Sequence, residues 1–313
     1  MSSMKAARIH AYGGPDVIKV EDTPRPTPGP GEVLVRVHST TVNPFDCALR
    51  AGYLAGYFQP KFPLVLGTDL AGTVEAMGPE TNTFAVGDRV YGRGGVSRDG
   101  TNAEYAVLPV TDVAAPPTTL DFAQAAALPH VALTAWQALF ELAGLAPGQT
   151  VLIHGAAGGV GHVATQLAHW RGAKVIGTAS TNFEFLRELP VDQAINYETT
   201  PFESVAHDVD MVLDIIGGAT QERSWQTLKK GGILVSTVQP PSQETAESYG
   251  VRQAMVYANP PIGKTLTELA ALVDAGTVRP HVSGIFPLSE VGRVHNMIEG
   301  KHTRGKLILQ VID

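Results

Sequence analysis

Val151-Leu-Ile-His-Gly-Ala-Ala-Gly-Gly-Val-Gly161 sets the architecture of this chain. Its apolar opening, residues 151–153, reads as a buried strand, and the glycines after it read as a tight turn. Val160, Val163, Ala164, Leu167 and Ala168 then recur at helical spacing. Strand, glycine loop and helix in that order suit a dinucleotide pyrophosphate. Small residues let the backbone approach the phosphates, and the helix start offers free N–H groups and a positive dipole end. The glycine pattern is Ala156-x-Gly158-x-x-Gly161, with alanine at its first position. Ala156, Gly158, Gly159, Val160 and Gly161 are therefore the expected cofactor loop, against the plainer reading of a glycine turn in an α/β fold.

Outward from this loop, strands are expected at residues 151–154, 175–178, 211–216 and 233–237, with helices between them. Such alternation implies a parallel sheet with right-handed crossovers. Residues 122–128, 132–143 and 265–275 are helical by composition, and residues 255–257 are a candidate strand. The first third differs. Val33-Leu-Val-Arg-Val-His38 alternates after the Pro28-Gly-Pro-Gly31 turn, and residues 67–77, 87–91 and 103–108 add further strand patterns. This predicts a small, mostly antiparallel β domain. The tail, residues 282–313, returns to β character around a helix near 289–298 and is expected to fold back on that domain.

Length and composition bound the function. The 313 residues suggest two domains, and 44% hydrophobic with 17% charged residues are ordinary for a globular enzyme. A formal charge of −7 without a basic run argues against nucleic-acid binding. No apolar stretch approaches the roughly 18 residues of a membrane span. The opening Met-Ser-Ser-Met-Lys lacks the apolar core of a secretory signal, so a cytoplasmic location is expected. The lone cysteine, Cys47, excludes an intrachain disulfide and a cysteine-rich zinc lobe, and reads as a small buried residue.

In the nucleotide-binding half, an acid about 20 residues beyond the glycine loop would bind a ribose 2′-hydroxyl. The second strand instead ends in Thr178, Ala179, Ser180 and Asn182, with Glu184 the nearest acid. The missing carboxylate favours NADPH over NADH, although no Lys or Arg stands beside Ser180 and Arg187 lies further along. Ser180, Asn182 and Tyr197 are candidate contacts to this end of the cofactor; Tyr197 reads equally as a surface aromatic. Ile216 and Gly217 close the third strand where the chain must pass near the nicotinamide ribose, or simply turn into a helix. Asp214 reads as a buried carboxylate satisfied by backbone N–H groups.

Asn43-Pro-Phe-Asp46, Arg50-Ala-Gly52, Phe62-Pro-Leu-Val-Leu-Gly67, Gly87-Asp-Arg-Val90, Leu133-Thr-Ala-Trp-Gln-Ala-Leu139, the glycine loop and Gly305-Lys306 together resemble the medium-chain dehydrogenase/reductase superfamily, and within it the zinc-independent quinone oxidoreductase branch. The resemblance implies an α/β chain with an N-terminal GroES-like β domain, a doubly wound Rossmann domain and a tail returning to the β domain. On that basis the GroES-like domain spans 1–122, completed by 277–313, and the Rossmann domain spans 123–276. An active site in the cleft between domains and a homodimer are also implied. At the positions matching the catalytic zinc ligands of relatives stand Asn43, Thr68-Asp69 and His130. Asn43 and Thr68 are poor zinc ligands, so no metal site is expected.

Without a metal to acidify an alcohol, the easier chemistry is hydride delivery to a conjugated acceptor, a quinone or an α,β-unsaturated carbonyl. Asn43 is the first candidate catalytic residue, its amide donating to a substrate oxygen or to the nicotinamide ribose; its plainer role is an Asn-Pro turn. Tyr53 is the candidate carbonyl hydrogen-bonder, or else a pocket wall, in the aromatic loop Gly52-Tyr-Leu-Ala-Gly-Tyr-Phe58. Thr134 resembles a residue that approaches the nicotinamide, and Lys306 one near the cofactor, although a solvent-facing lysine is the blander reading. Gly92-Arg-Gly-Gly-Val-Ser-Arg-Asp-Gly100 reads as a loop that admits substrate or only covers surface. The competing functions are a 2-alkenal or enoyl-thioester reductase and a cofactor-binding protein with little catalysis.

Overall fold

The computed structural model describes residues 2–95, 98–257 and 262–312. Val96 and Ser97 of the expected glycine-rich loop lie outside the described residues. The chain separates into two compact units, Met1–His130 with Pro260–Gly276 and Pro280–Asp313, and Val131–Asn259 with Thr277–Arg279. The helix Gly263–Asp274 thus goes with the first unit, whereas the sequence expectation counts it with the nucleotide-binding half.

The second unit is built on a parallel sheet. Its strands run Gln193–Asn196, Lys174–Ala179, Thr150–Ile153, Val209–Asp214, Leu228–Ser236 and Arg252–Met255 across the sheet. Counted along the chain from Thr150–Ile153, that order is 3-2-1-4-5-6, the doubly wound arrangement expected of a Rossmann sheet. The order reverses between the first and fourth strands, where ligands bind such sheets at the strands' carboxyl ends. Leu152, Ile176, Phe202, Val212, Trp225 and Leu234 pack one apolar cluster of this unit. Each such side chain contributes about 1.5–3 kcal/mol on full burial. The expected helix over 132–143 is two pieces, Pro129–Trp136 and a π-helical turn Gln137–Leu142.

The first unit holds a seven-stranded sheet and a three-stranded one, Lys19–Pro24, Ser3–Ile9 and Leu64–Val65. Glu32–Thr41 is the hub of the larger sheet, pairing antiparallel with Asp69–Met77, Tyr105–Pro109 and Lys306–Gln310. The last pairing is the predicted return of the tail. Because it has neighbours on both sides, this strand is more continuously buried than its alternation suggested, with Val33, Leu34, Val35 and Val37 inside and Arg36 outside. Its far end, Ser39, Thr40 and Thr41, is polar yet buried. Such an end is tolerated only if every hydroxyl finds a partner, which leads to the site below.

Candidate functional site

Two groups of residues, one in each unit, carry the chemistry. In the second unit, the chain leaves Thr150–Ile153, turns through 154–158 and enters the helix Gly159–Trp170. Gly158 is the residue that precedes this helix, and among the described residues no side chain caps it. The first N–H groups of a helix have no partner within it. The Gly158 N–H is taken by Gly155 O at 2.9 Å, whereas Gly159 and Val160 are partly exposed, so their donors are open to a ligand. A Cβ on Gly161 would stand 2.2 Å from Gly155 O and 2.6 Å from Ala156 Cα, so only glycine lets the helix press so closely on the loop. A Cβ on Gly158 would meet only Gly155 O, at 3.2 Å, so the glycine leaves space above the helix terminus. Open donors, a positive dipole end and that space fit an anionic pyrophosphate.

Asp214 ends the fourth strand of the sheet order and is fully buried. Its Oδ1 accepts the N–H groups of Ile216 at 3.0 Å and Gly217 at 2.8 Å. Its Oδ2 accepts from Gln221 Nε2 at 2.8 Å and Ser236 Oγ at 3.0 Å. The carboxylate is thus a clamp that shapes the turn, in agreement with its plainer sequence reading. Gly217 takes φ 79°, a conformation that disfavours other residues, and Ile216 is left 54% exposed. At the end of Lys174–Ala179, Ser180 Oγ donates to the Tyr197 hydroxyl at 2.6 Å. Asn182 begins the helix Phe183–Glu188, on which Arg187 lies 3.6 Å from Glu184, both exposed. Thr134 lies half-buried on the helix Pro129–Trp136.

In the first unit, the helix Pro44–Ala51 was not foreseen, because Asn43-Pro44 reads as a turn. Proline is well placed at a helix start, and the Asp46 carboxylate accepts the Asn43 backbone N–H at 2.7 Å. The Asn43 side chain turns inward and is 1% exposed. Its Nδ2 donates to Asp69 Oδ2 at 2.9 Å and Thr68 Oγ at 3.1 Å, and its Oδ1 accepts from Lys306 Nζ. Lys306 Nζ also donates to Thr41 Oγ at 3.2 Å and lies 3.5 Å from Asp69 Oδ2. Thr41 in turn donates to Asp69, whose Oδ1 accepts the His130 backbone N–H at 2.6 Å.

This arrangement brings together Asn43 and Lys306, which the sequence could only place separately. It also turns Lys306 away from the solvent-facing reading, since the side chain is buried among Asn43, Thr41 and Asp69. Tyr53, by contrast, follows the helix's last glycine and is 82% exposed, with Tyr57 beside it similarly open. Asp46 and Arg93 were missed as members of the cluster, whereas Asp69 was set beside Asn43, Thr68 and His130 by the resemblance alone. The available signals were an acid opening the apolar run Asp69-Leu-Ala and a lysine opening Lys306-Leu-Ile-Leu309.

The electrostatics of the cluster follow from burial. Burial opposes the Asp69 carboxylate, yet the Lys306 charge, with hydrogen bonds from Asn43 and Thr41, holds it below the usual carboxylate range. Burial lifts Asp46 to about 7, and the nearby Asp69 charge adds to the rise. Asp46 Oδ1 has no hydrogen-bond partner among the described residues, as a buried carboxyl that keeps its proton allows. Burial, helped by the Arg93 charge, pushes His130 down to about 3, so its ring is neutral. Among the described residues, no group of three or more His, Cys, Asp or Glu side chains is placed to hold a metal ion.

Comparison with known proteins fits this geometry. The family described as alcohol dehydrogenase GroES-like domain matches residues 29–118, and the one described as zinc-binding dehydrogenase matches residues 189–309. The chain is 33% identical to the mitochondrial NAD(P)H oxidoreductase RTN4IP1 of Mus musculus, over 90% of this chain and 82% of that protein. It is 32% identical to a quinone oxidoreductase of Homo sapiens, over 98% of this chain and 97% of the relative. The solved structure of the quinone oxidoreductase from Coxiella burnetii superposes with a TM-score of 0.91 at 35% identity, covering 99% of this chain and 100% of that one. With this likeness spanning both the polar cluster and the glycine loop, the chain belongs to the medium-chain dehydrogenase/reductase superfamily, in its quinone oxidoreductase-like branch.

Proposed function

We propose that the protein is a zinc-independent reductase that uses NADPH to reduce a quinone or a similar α,β-unsaturated carbonyl. The observation that carries this reading is the uncapped, accessible helix start at Gly158–Val160, in a chain whose relatives include NAD(P)H and quinone oxidoreductases. When bound, the reduced nicotinamide supplies the hydride. The protein's own residues supply binding and orientation. The N–H groups of the first helical turn hold the pyrophosphate. Asp214 fixes the turn 215–217, whose backbone would stand beside the ribose when the cofactor is bound. Ser180 and Tyr197 offer hydroxyls, and the strand Lys174–Ala179 ends without the carboxylate that would bind a ribose 2′-hydroxyl, which supports NADPH as the preferred form.

Zinc independence is supported by how the metal-ligand positions of relatives are used here. Asn43, Thr68 and Asp69 bond to one another and to Lys306 rather than pointing at a shared vacant point. Because both amide protons of Asn43 are committed, its part is positional. The exposed Tyr53 phenol is free to serve as the donor that stabilises charge developing on an acceptor oxygen. The test is NADPH consumption, followed by absorbance, with a benzoquinone and with an enone, each with and without a chelator. Turnover that survives chelation supports the reading. Turnover abolished by chelation and restored by zinc refutes metal independence, and NADPH binding with neither acceptor consumed favours a cofactor-binding protein without this catalysis.

A further inference from the structure

Lys306 is an ammonium sealed inside a cage of oxygen atoms. The residue is 3% exposed, and its Nζ meets Asn43 Oδ1, Thr41 Oγ and Asp69 Oδ2. A lysine ammonium has three donors and no acceptor, so these three oxygens match what it can give. An ammonium taken out of water is costly unless it is paired and hydrogen-bonded. The strand Lys306–Gln310 enforces the placement, because its pairing with Glu32–Thr41 sets Ile308 opposite Thr41. Asp69 is 0% exposed and begins the next strand over, so counter-ion and cation are both fixed by sheet register.

We propose that Lys306 is a positioning residue, the permanent internal cation of this shell, with Asp69 as its required counter-ion. In that role it holds the Asn43 carboxamide with its oxygen toward the lysine and its N–H groups toward Asp69 and Thr68. Without the ammonium, the amide oxygen loses its donor and the orientation rests on the Asp69 carboxylate alone. With it, only one orientation leaves no like groups facing each other. The cation is covalently attached, so it cannot be exchanged or chelated.

The test is a double-mutant cycle, Lys306→Met, Asp69→Asn and the pair together, read by thermal unfolding at pH 8 and pH 5.5. It uses neither cofactor nor substrate, so its failure leaves the reductase reading untouched. Each single change strands one buried polar partner and is expected to lower Tm by roughly 5–10 °C at pH 8. The double variant is expected to lose less than either single one, because both charges are gone and the Asn43 amide is free to turn its oxygen toward residue 69.

The pH dependence separates charge from packing. The groups facing the pair are Asp46 on the helix Pro44–Ala51, His130 on Pro129–Trp136 and Arg93 on the strand Arg89–Arg93. Loss of the lysine raises the proton affinity of Asp69, Asp46 and His130 alike, so the native variant takes up protons more readily than the wild type. Its deficit must therefore shrink at pH 5.5. If Lys306→Met does not fold, a folded double variant still supports the proposal. Losses that simply add, a deficit independent of pH, or a double variant that also fails to fold would overturn it.

Discussion

Asp214 accepts the N–H of Gly217 at 2.8 Å, three residues further along the chain, and this one bond closes the turn that ends the fourth strand. The same carboxylate reaches Gln221 and Ser236, so it ties the strand end to the following helix and to the neighbouring strand. Asp214→Asn keeps an oxygen for the backbone donors but turns an NH2 toward Gln221 Nε2. That leaves two donors facing each other in a buried place, at a cost of about 1–3 kcal/mol. A lower Tm together with weaker NADPH binding is expected. An unchanged Tm would mean that the carboxylate does not shape this turn.

Gly161 has no room for a side chain. Gly161→Ala puts a methyl 2.2 Å from Gly155 O, so the helix must back away from the loop. Overpacking of this kind costs about 1–3 kcal/mol. The variant is expected to melt lower and to bind NADPH poorly, and a variant with both properties intact would show that the close approach is not required.

Tyr197 carries the hydroxyl that accepts from Ser180, and it stands 46% exposed at the end where a 2′-phosphate is proposed to lie. Tyr197→Phe is expected to raise the Kd for NADPH by roughly 10–100-fold, the worth of one hydrogen bond to a charged group, and to leave that for NADH nearly unchanged. Parallel titrations of the two cofactors check this. Equal effects on both would place Tyr197 away from the phosphate.

Asp46 gives the protein a pH-dependent weakness. Its folded value, about 7, lies above the ordinary carboxylate value, so the contribution it makes to stability is complete below about pH 4 and is lost as pH rises through 7. Asp46→Asn removes that titration while keeping an acceptor for the Asn43 N–H. Relative to the wild type, the variant is expected to gain Tm between pH 5 and pH 8, by several degrees. A difference that stays constant with pH would mean that Asp46 is ionised throughout.

The parts of this structure that were legible in the sequence are local ones. The glycine loop, the strand-helix alternation and the Asp214 turn each lie within a few residues, so spacing alone carries the geometry. The polar cluster was legible only through the resemblance, which grouped Asn43, Thr68, Asp69 and His130; Lys306 joins them by strand register. Asn43 and Lys306 meet across 263 residues, and nothing near either one announces the other. Lys306 also defies the usual expectation that a lysine faces solvent, because its counter-ion Asp69 is supplied by a different strand. The helix Pro44–Ala51 was hidden by the same ambiguity, since Asn-Pro starts turns and helices equally well. Tyr53 was found from the loop's composition, but composition said nothing of how open it stands.

The central claim is that the helix start at Gly158 receives the cofactor's pyrophosphate. It is tested most directly by titrating NADPH into the wild type and Gly158→Asp side by side. Aspartate is among the best residues for the position before a helix, and the extended backbone of Gly158, φ −81° and ψ −172°, accepts it without strain. The substitution is therefore expected to preserve or raise Tm while its carboxylate takes the N–H donors and repels the phosphates. The account predicts a Kd for NADPH higher by roughly 100-fold or more in the variant, a loss of about 2.8 kcal/mol. Equal affinity in the two proteins, with the fold intact, would contradict it.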